Sequence, residues 1–139
     1  MKGAAVPGYR DIHETYQGEV GFDESGTPVL ITRSLRRDFG VEIEADQLAK
    51  LLIKRPVAGV ARVQRSYPWV IERPRGFVYD NVAFPLEEAI DLTIQLLDRI
   101  GRVHVAGWVE LPFGPRSLWI DRDQARTLTL VLPSSSGDY

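Results

Sequence analysis

Groups able to carry chemistry are sparse in this chain. It has 2 histidines, His13 and His104, and 0 cysteines. Thiolate nucleophiles and thiolate metal ligands are thereby excluded, and the two histidines stand at no spacing that serves a zinc site. No G-x-S-x-G elbow occurs, nor a glycine-rich phosphate loop ending in Lys-Ser or Lys-Thr. Carboxylates stand side by side at Glu87/Glu88 and one residue apart at Asp121/Asp123. Such pairs can share acid and base work. The first, however, lies where a helix should begin, and the second lies in a turn, where aspartate bonds its own backbone. The sequence therefore names no catalytic residue, no metal ligand and no cofactor. An enzyme is left only as a site assembled from scattered polar residues.

A second kind of chemistry is offered by the run from Arg62 to Tyr79. Arg62, Arg65, Arg73 and Arg75 are interleaved there with Tyr67, Trp69, Phe77 and Tyr79. Cations beside exposed rings suit a single-stranded nucleic acid: the charges neutralise phosphates, and each stacked base contributes roughly 1–3 kcal/mol. Charge partitioning points the same way. Residues 50–75 carry 7 basic and 1 acidic side chains, net +6, whereas residues 1–49 and 76–139 each carry 5 basic and 9 acidic ones, net −4. The expected anion- or nucleic-acid-binding residues are Arg62, Arg65, Tyr67, Trp69, Arg73 and Arg75, within a basic-aromatic face over 54–79. The competing reading sends the rings into a core and leaves the arginines to solvent, because large aromatics anchor cores.

A third candidate is apolar. Trp108 and Trp119 fall on strand-like alternations, with His104 on the polar side of the first. If a tight turn at Phe113-Gly114 joins the two strands, the two indoles face each other. Bare, they would anchor a protein partner, since tryptophan dominates binding hot spots. Covered by Tyr16–Thr32, they would be ordinary core.

These groups need elements to hold them. The spacing of Leu86, Ala89, Ile90, Ile94, Leu97 and Ile100 predicts an amphipathic helix over about 85–100, opened by Pro85 and acidic Glu87, Glu88 and Asp91, and closed at Gly101. Leu92 and Leu96 widen its apolar surface beyond one face. A shorter helix is expected over about 46–54, stopped by Arg55-Pro56, after a helical turn 35–39 halted by Gly40. Alternation and turn signals place strands at 16–22, 29–32, 59–66, 69–73, 77–79, 102–111, 118–121 and 127–132. The prolines at 68 and 74 suggest edge strands. The fold class is α+β: a mainly antiparallel sheet of about six or seven strands, with both helices on one face. One domain over 1–139 is expected, with flexible ends at 1–8 and 133–139. In this scheme Ile94 is core, so Ile94→Asp should unfold the chain.

The order strand, helix 46–54, strand 59–66, strand 75–84, helix 85–100, strand 102–111 resembles that of RNA-recognition motif domains. Arg75-Gly76-Phe77-Val78-Tyr79 is similar to the stretch on which those domains stack bases, although the second glycine–aromatic step is missing and strands are added at both ends. The resemblance implies single-stranded nucleic-acid binding. The phrase Asp38-Phe39-Gly40-Val41-Glu42-Ile43 resembles a stretch of acyl carrier proteins, but no serine stands where theirs carries the prosthetic group.

The opening MKGAAVPGYR lacks the apolar core of a signal peptide, and no run suits a bilayer span. A cytoplasmic location is expected, with no membrane association. The function expected first is non-enzymatic binding of a protein partner, as an inhibitor, immunity-type neutraliser or assembly accessory, or self-association as a homo-oligomer. Nucleic-acid binding is the second expectation and a small enzyme the third.

Overall fold

The computed structural model describes residues 5–33, 39–66, 68–79, 83–108, 117–123 and 126–132, with backbone alone at 39–45. The order is β1 (Arg10–Thr15), β2 (Gly18–Phe22), β3 (Pro28–Thr32), α1 (Phe39–Lys54), β4 (Val63–Arg65), β5 (Trp69–Glu72), β6 (Phe77–Val78), α2 (Leu86–Val105), β7 (Leu118–Asp121) and β8 (Thr127–Leu130). The class is α+β with antiparallel sheets, as the sequence predicts. The strands divide into two sheets, one ordered β1-β2-β3-β5-β4 and one β6-β7-β8. α1 packs against β4 and α2 against β8.

The β2–β3 hairpin forms where its turn residues predict it. Asp23 organises the connection, accepting from the backbone N–H of Ser25 and of Thr27, each at 2.9 Å, and from Gln64 Nε2 at 2.9 Å. The Gln64 bond, reinforced by the Ser25 and Thr27 donors, holds the Asp23 carboxyl down at about 2. Tyr9 Oη closes the network by donating to Gln64 Oε1 at 2.8 Å.

β5 lies between β3 and β4, so its flanking Pro68 and Pro74 do not mark an edge. They sit just outside the ladder, where no N–H is required. Trp69 and Ile71 point into the main core with Leu30, Leu48, Leu52 and Val63, whereas Val70 joins Val29 and Ile31 in a smaller cluster on the other face, against Tyr9 and Ile12. The main core runs on through Leu92, Val103, Trp119, Ile120, Leu128 and Leu130, so one apolar body joins both sheets.

Several boundaries differ from expectation. β1 lacks an apolar alternation, and a register shift between Arg10 and His13 interrupts it, with Asp11 at φ 56°. α1 begins at Phe39 and runs through Gly40, despite the low helix propensity of glycine and of β-branched Val41 and Ile43. The expected turn at 35–39 falls mostly outside the described residues. α2 continues through 102–105, where a strand was expected. Val103 is fully buried and Val105 is 90% exposed. On a strand these two would share a face; on a helix they stand about 200° apart. The left-handed cap is Gly107 and not Gly101: its φ is +115°, its N–H donates to His104 O, and Trp108 N–H donates to Val103 O. With 102–105 helical and the strands in two sheets, the βαββαβ order of the RNA-recognition motif is broken. Residues 109–116, including the expected turn at Phe113-Gly114, lie outside the described residues.

β6 meets β7 through a turn that only glycine permits. Gly76 has φ +96°, and a Cβ there would overlap the Ile120 carbonyl oxygen. This close approach sets Phe77 opposite Ile120 and Val78 opposite Trp119.

Ile94 is 60% exposed, so the expectation that Ile94→Asp unfolds the chain is corrected. Ile94→Asp should shift stability by less than about 0.5 kcal/mol in denaturant titrations, whereas Leu92→Asp, at a buried position two residues away, should abolish the cooperative transition.

Candidate functional site

α2 is apolar on two sides, and it buries the less apolar one. Its inward surface carries Leu92, Leu96 and Val103 together with Glu88, Gln95 and Arg99. Each polar group there has a directional partner. Gln95 Oε1 accepts from the backbone N–H of Leu128 at 2.9 Å, while Gln95 Nε2 donates to Arg126 O at 2.7 Å. Arg99 Nε donates to Leu128 O at 3.1 Å. Glu88, 4% exposed, accepts two bonds of 2.9 Å from Arg122, whose guanidinium lies 5.3 Å from the Phe84 ring centre. The cations and amide fit this face because they meet carbonyls, a backbone N–H and a carboxylate, so burial leaves none of them unpaired.

The opposite side is bare. Leu86, Ile90, Ile94, Leu97 and Val105 are between 52% and 90% exposed. At about 100° per residue they fall within one arc roughly 100° wide, with Gly101 in the same row. Glu87, Asp91, Asp98 and Arg102 line one flank, and Arg102 Nε lies 2.9 Å from Asp98 Oδ2. The expectation that Leu86, Ile90, Ile94 and Leu97 face the core is therefore reversed. Exposed His104 falls at the same angle as Leu86, at the edge of the arc; otherwise the arc offers apolar area to be removed from water.

The tryptophan surface does not exist as expected. Trp119 is 2% exposed and belongs to the core. Trp108 follows the α2 cap, half-buried, and its indole N–H has no hydrogen-bond partner among the described residues. His104 is exposed, but on α2 and not on a strand.

The basic-aromatic segment divides. Trp69 is fully buried and cannot stack on a base, and Tyr67 lies outside the described residues. Arg65 is half-buried. Arg62, Arg73 and Arg75 do converge, on an open groove of about 750 Å³ that Glu72, Asp121 and Thr129 also line. The groove continues past Gly76 to Phe77, Arg122 and Asp123. Phe77 is 63% exposed. Arg73 donates to Gln17 Oε1 at 2.6 Å, and Arg75 Nε stands 4.0 Å from Asp121. Interleaved carboxylates thus offset much of the positive charge.

Among the described residues no three His, Asp or Glu side chains gather as a metal site would require, and no helix is long and apolar enough to cross a membrane. Compared with known proteins, the chain matches no family model and no curated protein.

The inward polar anchors of α2 are testable through stability. Arg122→Ala strands the Glu88 carboxylate in a buried position and should cost about 3 kcal/mol at pH 7. Adding Glu88→Leu should restore most of that loss, measured by urea unfolding of the single and double variants.

Proposed function

We propose that this chain is a non-enzymatic protein-binding module whose docking surface is the outward arc of α2. One observation carries the reading: five large aliphatic side chains lie exposed along a single arc of a helix that is firmly anchored on its other side. Burying such a side chain gains roughly 1.5–3 kcal/mol. A contiguous aliphatic row held open on a rigid helix suits a second helix or an apolar groove. The flanking Glu87, Asp91 and Asp98 would repel anionic lipid, which favours a protein over a membrane surface. A cytoplasmic setting belongs to the same proposal and is supported by the cysteine-free chain.

A second reading is favoured by Phe77. It stands exposed beside Arg73, Arg75 and Arg122, so a stacking ring and cations do meet, although without Trp69 and without the full arginine set that the sequence suggests. A single-stranded nucleic acid is the ligand this groove would take.

The docking role is checked by capturing partners on the full chain and titrating each captured protein in purified form. Ile94→Lys should weaken binding at least tenfold while leaving the melting temperature unchanged; equal affinities for both forms would refute the role. For the second reading, fluorescence anisotropy with a labelled single-stranded oligonucleotide at low salt should show binding that Arg75→Ala and Phe77→Ala each weaken and that rising salt removes. Absence of binding at low salt would dismiss it.

A further inference from the structure

We infer that Gln17 is a positioning residue, holding Arg73 as the fixed phosphate-binding cation of the groove that Arg62, Arg73 and Arg75 line. The inference rests on the nucleic-acid reading of that groove. Arg33, Arg122 and Arg73 are each tied to a side chain that is buried or nearly so. Arg33 forks onto Glu19 with bonds of 2.7 and 2.9 Å, and Arg122 forks onto Glu88 with two bonds of 2.9 Å. Both acceptors are carboxylates, so each guanidinium charge is offset where it stands. The acceptor of Arg73 is different. Its Nη2 donates to Oε1 of buried Gln17 at 2.6 Å. Arginine offers only donors, so the amide meets it with its oxygen. A neutral acceptor fixes the guanidinium and leaves its charge standing.

Both ends of this tie are anchored. Gln17 sits in the turn between β1 and β2, where its N–H donates to Thr15 Oγ1 at 3.1 Å and Thr15 Oγ1 donates to Gly18 O at 2.8 Å. The backbone N–H of Arg73 donates to Pro28 O at 3.0 Å. Arg73 also lines both parts of the groove, so it stands where they meet. The other cations there lack one of its two properties. Arg122 is fixed but offset by Glu88. Arg75 is exposed and stands 4.0 Å from Asp121. Arg62 is exposed, and its guanidinium makes no hydrogen bond or ion pair among the described residues. A cation already held in place gives up less rotamer freedom on meeting a phosphate. A phosphodiester therefore seats on Arg73, and Phe77, in the adjoining part of the groove, stacks the neighbouring base.

Two substitutions at Gln17 separate charge from position. Each is read by fluorescence anisotropy of a labelled single-stranded oligothymidylate on the full chain, over a range of salt. Gln17→Glu sets an ionised carboxylate against the guanidinium. At pH 7 it should keep or raise the melting temperature, yet weaken binding about tenfold. It should also reduce the steepness of log affinity against log salt by about 0.7, the share of one single-strand phosphate, as Arg73→Ala should. Gln17→Met frees the guanidinium but keeps its charge. It should weaken binding about threefold and leave the salt slope unchanged. Wild-type affinity in either variant would overturn the positioning role and leave the nucleic-acid reading standing. A wild-type chain that binds no oligothymidylate at low salt would remove both.

Discussion

The structure depends on how the outer edge of β8 is closed. An edge strand presents unpaired N–H and C=O groups, and Leu128 and Leu130, both buried, point theirs away from β7. All four groups find partners. Leu128 N–H goes to Gln95 Oε1 and its carbonyl to Arg99 Nε. Leu130 N–H goes to the Gly59 carbonyl at 3.0 Å, and its own carbonyl accepts from Ala61 N–H at 2.7 Å. Each bond contributes about 1 kcal/mol net, but a buried group left without one would cost 1–3 kcal/mol. The closure draws on three parts of the chain: helix side chains, the backbone leading into β4, and the β7–β8 hairpin. It therefore joins the two sheets to each other and to α2.

This closure also sets the rotation of α2. Hydrophobic burial is non-directional, and a helix with apolar residues on two sides could bury either. Hydrogen bonds have fixed geometry. Gln95 and Arg99, one turn apart, must both reach Leu128, and Glu88 must reach Arg122. Once these are satisfied, Leu92, Leu96 and Val103 lie inward and the richer aliphatic row lies outward. The chain forgoes several kcal/mol of apolar burial in that orientation, and directional bonding decides the outcome.

The same competition explains what could be read from the sequence. The α+β class, the hairpin 18–32, the strands 69–72, 118–121 and 127–130 and the existence of both helices follow from local pattern, because strand alternation and helical periodicity report burial wherever a single face is covered. The face of α2 does not follow. Spacing favours Leu86, Ile90, Ile94 and Leu97, and only tertiary partners reveal that Glu88, Gln95 and Arg99 belong inside. Val103-His104-Val105 alternates like a strand, yet it ends a helix whose preceding turns are already anchored. Trp119 lies on β7 between β6 and β8, and it and the adjacent Ile120 are both buried, so two-fold alternation could not tell a bare indole from a covered one. The basic-aromatic run was legible as composition, but Trp69 and Phe77 take opposite fates because β5 is central and β6 is an edge.

The proposed docking surface and the groups that anchor the fold thus lie on opposite sides of one helix. The inward side is rich in groups whose loss exposes a partner to an unsatisfied buried state, so variation there is constrained by folding. The outward side is more than half exposed at each aliphatic position, so its aliphatic character contributes little to the isolated fold, and polar replacements there would favour solubility. The proposed docking role gives a use to an aliphatic row that the core does not bury. The rigidity supplied by Gln95, Arg99 and Glu88 matters to that use: a docking helix already fixed in place gives up little conformational freedom on binding, so more of the apolar burial becomes affinity.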